Sequence, residues 1–238
     1  MAGGNPPVFG RELAVRAGSA VVMVALAAAA LWLGGWVWIG FVAVLACGVL
    51  WEWNRLVSGF GIAPAGEVVW LFAGAIYVTA AALAMIQVRF NFAAPGVLAA
   101  FIAPIIAVDV GAYFAGRTIG GPKIAPAISP SKTWAGLGGG ALGAGLVGIA
   151  VEVADIGPGA NAPGFTFAAL ALALVAGLVI AVIAQGGDFF ESWMKRRAGV
   201  KDSSRLIPGH GGLFDRLDGF LAVFFVLFVV DALGKLLG

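Results

Sequence analysis

Four aspartates stand at the edges of apolar runs. Asp109 lies at the end of one, Asp188 closes another, and Asp215 and Asp218 open the last. Ionisable groups at such places are expensive to bury and normally face a partner or a cavity. Asp215 and Asp218 are three apart, so on a helix they share a face; Asp188 likewise shares one with Glu191 and Ser192, and Lys195 follows two turns on. Carboxylates gathered this way repel one another. A hard divalent cation such as Mg2+ removes the repulsion, because it is held by one or two carboxylates together with the phosphates of a substrate. The plainer alternative is a set of ion pairs, Asp215 with Arg216 and Asp188 with Lys195.

The complementary charge is close by. Lys195, Arg196, Arg197, Lys201, Arg205 and Arg216 fall within one stretch, Lys195 to Asp218. A basic anchor for anionic lipid headgroups accounts for Arg196 and Arg197. It does not account for Pro208-Gly209-His210-Gly211-Gly212, which runs into a helix expected to begin near Leu213. A glycine loop feeding a helix N-terminus offers backbone N–H groups to an anion. His210 is the one histidine of the chain; in this loop it suits phosphate contact or ordering of the site, against a capping or interfacial role. A second basic stretch holds Arg117, Lys123 and Ser129-Pro130-Ser131-Lys132-Thr133. Its hydroxyls and lysine suit phosphate oxygens, although Ser131 or Thr133 could equally be an N-cap.

The elements that must position these groups are set by composition. Of 238 residues, 61% are hydrophobic and 11% charged, against roughly 45–50% and 25% in soluble domains. The net charge of +2 supports no long-range attraction to nucleic acid. The single cysteine, Cys47, excludes an intrachain disulfide and a cysteine-based zinc site. Arg11 and Arg16 precede the apolar run Ala17 to Leu33 in the manner of a signal peptide. That run continues through Gly34-Gly35 into another apolar stretch, so it reads as a first membrane span.

Seven segments reach the ~20 residues a spanning helix needs: about Ala14–Leu33, Trp36–Val57, Val68–Val88, Pro95–Ala115, Trp134–Val153, Phe165–Gly186 and Leu213–Leu236. The expected fold class is all-α, a polytopic integral membrane bundle of about seven transmembrane helices. Spans 1–3 fall in residues 1–92. Spans 4–7 fall in 93–238, with cytoplasmic loops at 116–133 and 187–214. Gly34-Gly35 implies a tight hairpin, and breaker clusters mark Gly59 to Gly66, Gly120 to Pro130, Gly157 to Gly164 and Pro208 to Gly212.

With a cytoplasmic N-terminus, the inside receives every Lys and Arg except Arg89 and Lys235, the bias that cytoplasmic loops carry. The outer loop from Glu152 to Phe165 holds Glu152 and Asp155 but no Lys or Arg. Trp32, Trp36, Trp38, Trp51 and Trp53 sit near span ends, where indoles favour the interface. The glycines of Gly136–Gly148 read as close helix packing; they follow no strand and imply no cofactor loop.

Ser192-Trp193-Met194-Lys195-Arg196, then Lys201-Asp202, then Pro208 through Asp218 resembles the signature of phosphatidate cytidylyltransferases, also called CDP-diacylglycerol synthases. Asp109 to Arg117 and Ser129 to Thr133 are also similar to that family, so the likeness runs from Asp109 to the C-terminus. It departs at Ala135, where members usually carry an acidic residue, and in a short N-terminal half.

The resemblance implies transfer of CMP from CTP to phosphatidate, giving CDP-diacylglycerol and pyrophosphate in phospholipid biosynthesis. It implies Mg2+, with room for a second metal ion, on Asp188, Asp215 and Asp218, with Asp109 as a weaker fourth. It places Lys195, Lys201, His210 and Arg216 as catalytic groups at the phosphates. Ser129, Lys132 and Thr133 would form the opposite wall, and Arg117, Ser192, Asp202, Gly211 and Gly212 would complete the substrate-binding set. The expected partners are CTP, phosphatidate and membrane lipid; nucleic acid is not among them, and a homodimer is compatible with the sequence. The expected location is a bacterial inner (plasma) membrane, with the site facing the cytoplasm. Rival readings are a CTP-dependent lipid kinase and, from a different class, a small transporter, whose inverted repeat and midplane helix breaks are not visible.

Overall fold

The computed structural model describes residues 8–92, 95–154 and 166–238. Asp155 and the predicted breaker cluster from Gly157 to Gly164 lie outside the described residues, as does the side chain of Arg11. The chain forms seven helices among those residues: α1 Val8–Leu33, α2 Gly35–Ser58, α3 Pro64–Asn91, α4 Pro95–Thr118, α5 Trp134–Val153, α6 Phe167–Arg197 and α7 Phe214–Leu237. All seven are long and apolar enough to cross a bilayer, so the all-α membrane bundle expected from composition is what forms.

Local chemistry explains most boundaries. Gly34 and Gly35 adopt φ of 62° and 49°, left-handed values that glycine alone reaches without strain, and they turn α1 back onto α2 as expected. Thr133 and Thr166 start α5 and α6 with side-chain caps, accepting from Gly136 N at 3.0 Å and Ala169 N at 3.1 Å. Pro64 begins α3 where its missing N–H costs nothing.

One boundary differs from the sequence expectation. Residues 187–197, read as loop, are helical, and α6 runs unbroken through Gly186-Gly187 for 31 residues. At 1.5 Å per residue that is about 46 Å, well beyond a ~30 Å hydrocarbon core. The last turns of α6 therefore stand beyond the apolar layer, and they carry Asp188 to Arg197. Gly187 does not stop the helix; it lets α7 approach. A Cβ there would lie 2.5 Å from the carbonyl oxygen of Asp218.

Two packing devices hold the bundle. Between α4 and α5 the backbones nearly touch: a Cβ on Gly143 would meet Ala107 O at 2.7 Å, and one on Gly140 would meet Val108 O at 2.9 Å. The glycines of α5 thus serve the close packing expected of them. Around α2, α3, α6 and α7 the device is aromatic. Trp53, 2% exposed, lies with its ring centre 5.6 Å from Phe190, 5.7 Å from Phe214 and 6.0 Å from Tyr77. Its indole donates to Trp70 O at 2.9 Å. By contrast α1 is peripheral, with Ala30 its one buried residue among those described.

Candidate active site

The charged side chains converge at one end of the bundle, where α2, α4 and α6 finish and α5 and α7 begin. They form two adjoining groups with different roles.

The first is a closed network at the start of α7. Lys195 sits between two carboxylates, with Nζ 2.6 Å from Glu191 Oε2 and 2.6 Å from Asp215 Oδ1. Asp215 Oδ2 accepts from Ser203 N at 2.9 Å, Ser203 Oγ at 2.8 Å and Gly212 N at 2.8 Å. Glu52, fully buried on α2, accepts from Leu213 N at 2.9 Å, Phe214 N at 2.6 Å, Ser203 Oγ at 3.1 Å and Ser204 Oγ at 2.5 Å.

This arrangement corrects the expected anion site. The N–H groups at the glycine loop and the helix start do face anions, but the anions are the chain's own Glu52 and Asp215. The N–H of Gly212 is committed to Asp215, and a Cβ at Gly212 would have no room against Glu52 and Ser203. The ion pairs also differ from the alternative drawn from sequence. Lys195 takes Glu191 and Asp215 rather than Asp188, and Arg216 donates through Nε to His210 O at 3.1 Å rather than pairing with Asp215.

The second group is open. Lys132, at the end of the α4–α5 loop, pairs with Asp188, and Ser192 Oγ lies 3.5 Å from Asp188 Oδ1. Asp109, Asp188, Asp218 and Lys132 are within electrostatic reach of one another, and Arg216 acts on Asp109. Asp218 accepts from Gly219 N at 2.7 Å. Beside this group opens a cleft of about 390 Å³, lined among others by Asp109, Arg117, Ser131, Lys132 and Gln185. Arg117 is braced along its wall by Tyr113 OH at 3.0 Å. Gln185 is 4% exposed, and its amide has no hydrogen-bond partner among the described residues.

The α4–α5 loop presents Lys132 because it is closed on itself. Ile124 N donates to Lys132 O at 3.1 Å, and Trp134 N to Pro122 O at 3.2 Å. Within it Thr133 spends its hydroxyl oxygen on the α5 cap and is 2% exposed, while Ser129 is 8% exposed. Ser131 and Lys132 are therefore the loop's accessible polar groups on the cleft.

The remaining expected residues lie outside the open group, Gly211 against Asp215 and Asp202. Lys201 and Asp202 are exposed. His210 heads a turn closed by Ile207 N to Gly211 O at 2.8 Å, with Gly211 at φ 84°. Its Nδ1 shares a 2.8 Å hydrogen bond with Ser19 Oγ of α1, which also reaches Pro208 O at 3.0 Å. Glu52, Gln185 and Ser19 were not singled out from sequence. For Glu52 there was a usable signal, a carboxylate within an apolar span; Ser19 and His210 are 191 residues apart, and nothing local announces their meeting.

Donor chemistry decides what cation these groups fit. Asp109, Asp188 and Asp218 offer hard oxygens. Among the described residues no three His, Cys, Asp or Glu side chains are close enough to form an all-protein cage. Hard carboxylate oxygens are the donors that Mg2+ takes alongside water and substrate phosphates.

Comparison with known proteins places the chain. Residues 63–233 match the model of the cytidylyltransferase family. The chain belongs to the cytidylyltransferase family. Among similar proteins is the phosphatidate cytidylyltransferase of Brucella suis biovar 1, 37% identical over 210 residues, covering 84% of this chain and 73% of that protein. That of Rickettsia bellii is 31% identical over 223 residues, covering 93% and 92%. That of Rickettsia felis is 40% identical over 129 residues, covering 54% and 56%. This cytidylyltransferase is thus a nucleotidyltransferase carried on seven membrane-length helices, and its matched segment contains every residue of the open carboxylate group.

Proposed function

We propose that the protein transfers CMP from CTP to phosphatidate, releasing pyrophosphate and leaving CDP-diacylglycerol in the membrane. The observation that carries this reading is the open group itself. Lys132, Arg117 and Asp109 line a cleft at the end of an apolar bundle, with Asp188 paired to Lys132, where a lipid headgroup and a soluble nucleotide can meet.

A phosphate monoester has its second pKa near 6, so the attacking oxygen of phosphatidate is largely ionised at neutral pH and needs no general base. It bonds to the α-phosphorus of CTP as the bridge to the β-phosphate breaks and the electron pair leaves on pyrophosphate. The obstacle is bringing two polyanions together, and positive charge aimed at the phosphates lowers it. Lys132 spends one of its three donors on Asp188 and can hold a phosphate oxygen with the others. Arg117, from the adjoining wall, is suited to bidentate phosphate contact. Asp188 and Asp218, with Asp109, are the residues that would hold Mg2+. When bound, that ion would neutralise phosphate charge and act as a Lewis acid toward the transferring group. Lys201, exposed between α6 and α7, would take the nucleotide's outer phosphates from outside the closed network, and Arg216 holds the His210 turn in shape.

Two measurements test this reading. Purified protein given phosphatidate and each labelled nucleoside triphosphate in turn should form lipid-soluble nucleotide from CTP alone; equal use of all four, or no lipid nucleotide, would overturn it. We further propose that the site faces the cytoplasm across a bacterial inner membrane, as the bias of Lys and Arg supports. A reporter fused after Gly238 should be active only outside the cytoplasm, and cytoplasmic activity would reverse the orientation.

A further inference from the structure

Among α5, α6 and α7, the helix that carries Asp215 and Asp218 is the one that starts without a local cap. Residue Leu213 stands at the N-cap of α7 and makes no side-chain cap bond, whereas Thr133 and Thr166 cap α5 and α6. The first N–H groups of a helix need acceptors, and here they come from 161 residues away. Glu52 takes Leu213 N on Oε1 and Phe214 N on Oε2. The negative end of this side chain thus sits at the positive end of the α7 dipole.

The same carboxylate reaches the site by a second path. Ser203 Oγ lies 3.1 Å from Glu52 Oε2 and 2.8 Å from Asp215 Oδ2, so its one proton is shared between them. Glu52 therefore fixes both where α7 begins and where the segment before it rests. The start of α7 sets the direction of Asp215 in its first turn and Asp218 in its second. Among the described residues Glu52 has no ion-pair partner, and its four hydrogen-bond donors all belong to residues 203–214. It also lies before residue 63, outside the segment that matches the family.

We propose that Glu52 is a positioning residue for nucleotidyl transfer, capping α7 from α2 and holding the 203–214 segment so that Asp215 stays in the closed network and Asp218 in the open group beside the cleft. This rests on the cytidylyl transfer proposed above. The fold itself has an independent tie at the same place, the contact of Trp53 with Phe214, so loss of the carboxylate should leave the bundle assembled.

The test compares Glu52→Gln with the intact protein in detergent. Hydrogen exchange of the Leu213 and Phe214 amides should rise at least tenfold in the variant, with α4 and α5 unchanged. Per folded molecule, kcat should fall at least tenfold, while KM for phosphatidate stays within threefold. Ser204→Ala, which removes one donor to Glu52 and the acceptor of Leu206 N but leaves the cap, should lower kcat less. Combined with Glu52→Gln it should add almost nothing, because both act through one carboxylate. If Glu52→Gln fails to fold, Glu52→Asp, whose shorter side chain draws the carboxylate away from Leu213 N and Phe214 N, carries the comparison with the same rise in exchange expected. Unchanged exchange at 213 and 214, or a folded variant with kcat within twofold of the intact protein, would overturn the proposal. Should the intact protein transfer no cytidylyl group, the functional reading fails by itself and the exchange measurement still decides the clamp.

Discussion

Asp188→Asn and Asp218→Asn should each lower kcat by about 10²–10³-fold, the scale of losing one electrostatic contact to a transferring group, and should raise the Mg2+ concentration needed for half-maximal rate. Neither residue lies in the closed network at the start of α7, so both variants should unfold close to the intact protein. Asp215→Asn should behave differently. Its carboxylate accepts from Lys195, Ser203 and Gly212, and an amide in that place turns a donor toward donors. Activity and thermal stability should therefore fall together for Asp215→Asn, whereas activity alone should fall for Asp218→Asn. Rates and melting curves in detergent distinguish the two patterns; near-normal turnover of Asp218→Asn at saturating Mg2+ would remove it from the metal set.

Lys195→Met should give the largest loss of stability, about 3–5 kcal/mol, the cost of breaking a buried ion pair from one side. The side chains of Lys195, Glu191 and Asp215 are 13%, 1% and 5% exposed, so water cannot take over the role of the ammonium. With Lys195 gone, two carboxylates face each other. The companion change Glu191→Gln removes one of those charges, and the double variant should recover more than half of the lost stability without recovering activity. Denaturant titration of the single and double variants checks this. A single variant within 0.5 kcal/mol of the intact protein, about the scale of exposed pairs, would mean that the network is solvated.

Those two expectations separate what local sequence can say from what it cannot. The helices were legible because each announces itself by roughly twenty apolar residues, and Gly34-Gly35 and Thr133 mark their ends by backbone chemistry that acts within a few residues. The end set for the sixth span at Gly186 misled for a physical reason: the apolar run stops there, but the helix continues, and Gly187 serves the approach of α7, a contact between helices. The aspartates were legible as a group, since charge beside an apolar run is informative on its own. Their division into a closed and an open set was not. It depends on Glu52, Ser203 and Gly212 meeting Asp215, and on Lys132 crossing from another loop to Asp188. The pairing of Lys195 with Glu191 was within reach, being four residues along one helix; its second partner, Asp215, lies across a loop. The glycine motif was recognised as a place for an anion, and that chemistry is present, with Glu52 and Asp215 as the anions.

The most direct measurement follows the label from CTP into lipid. With phosphatidate, Mg2+ and purified protein, label at the α-phosphate should enter the organic-phase product in equal molar amount with cytidine. Label at the γ-phosphate should stay in water as pyrophosphate, and Asp188→Asn should slow the transfer by about 10²–10³-fold. Appearance of the γ-label in the lipid would show phosphoryl rather than cytidylyl transfer, and would contradict the reaction assigned to this site.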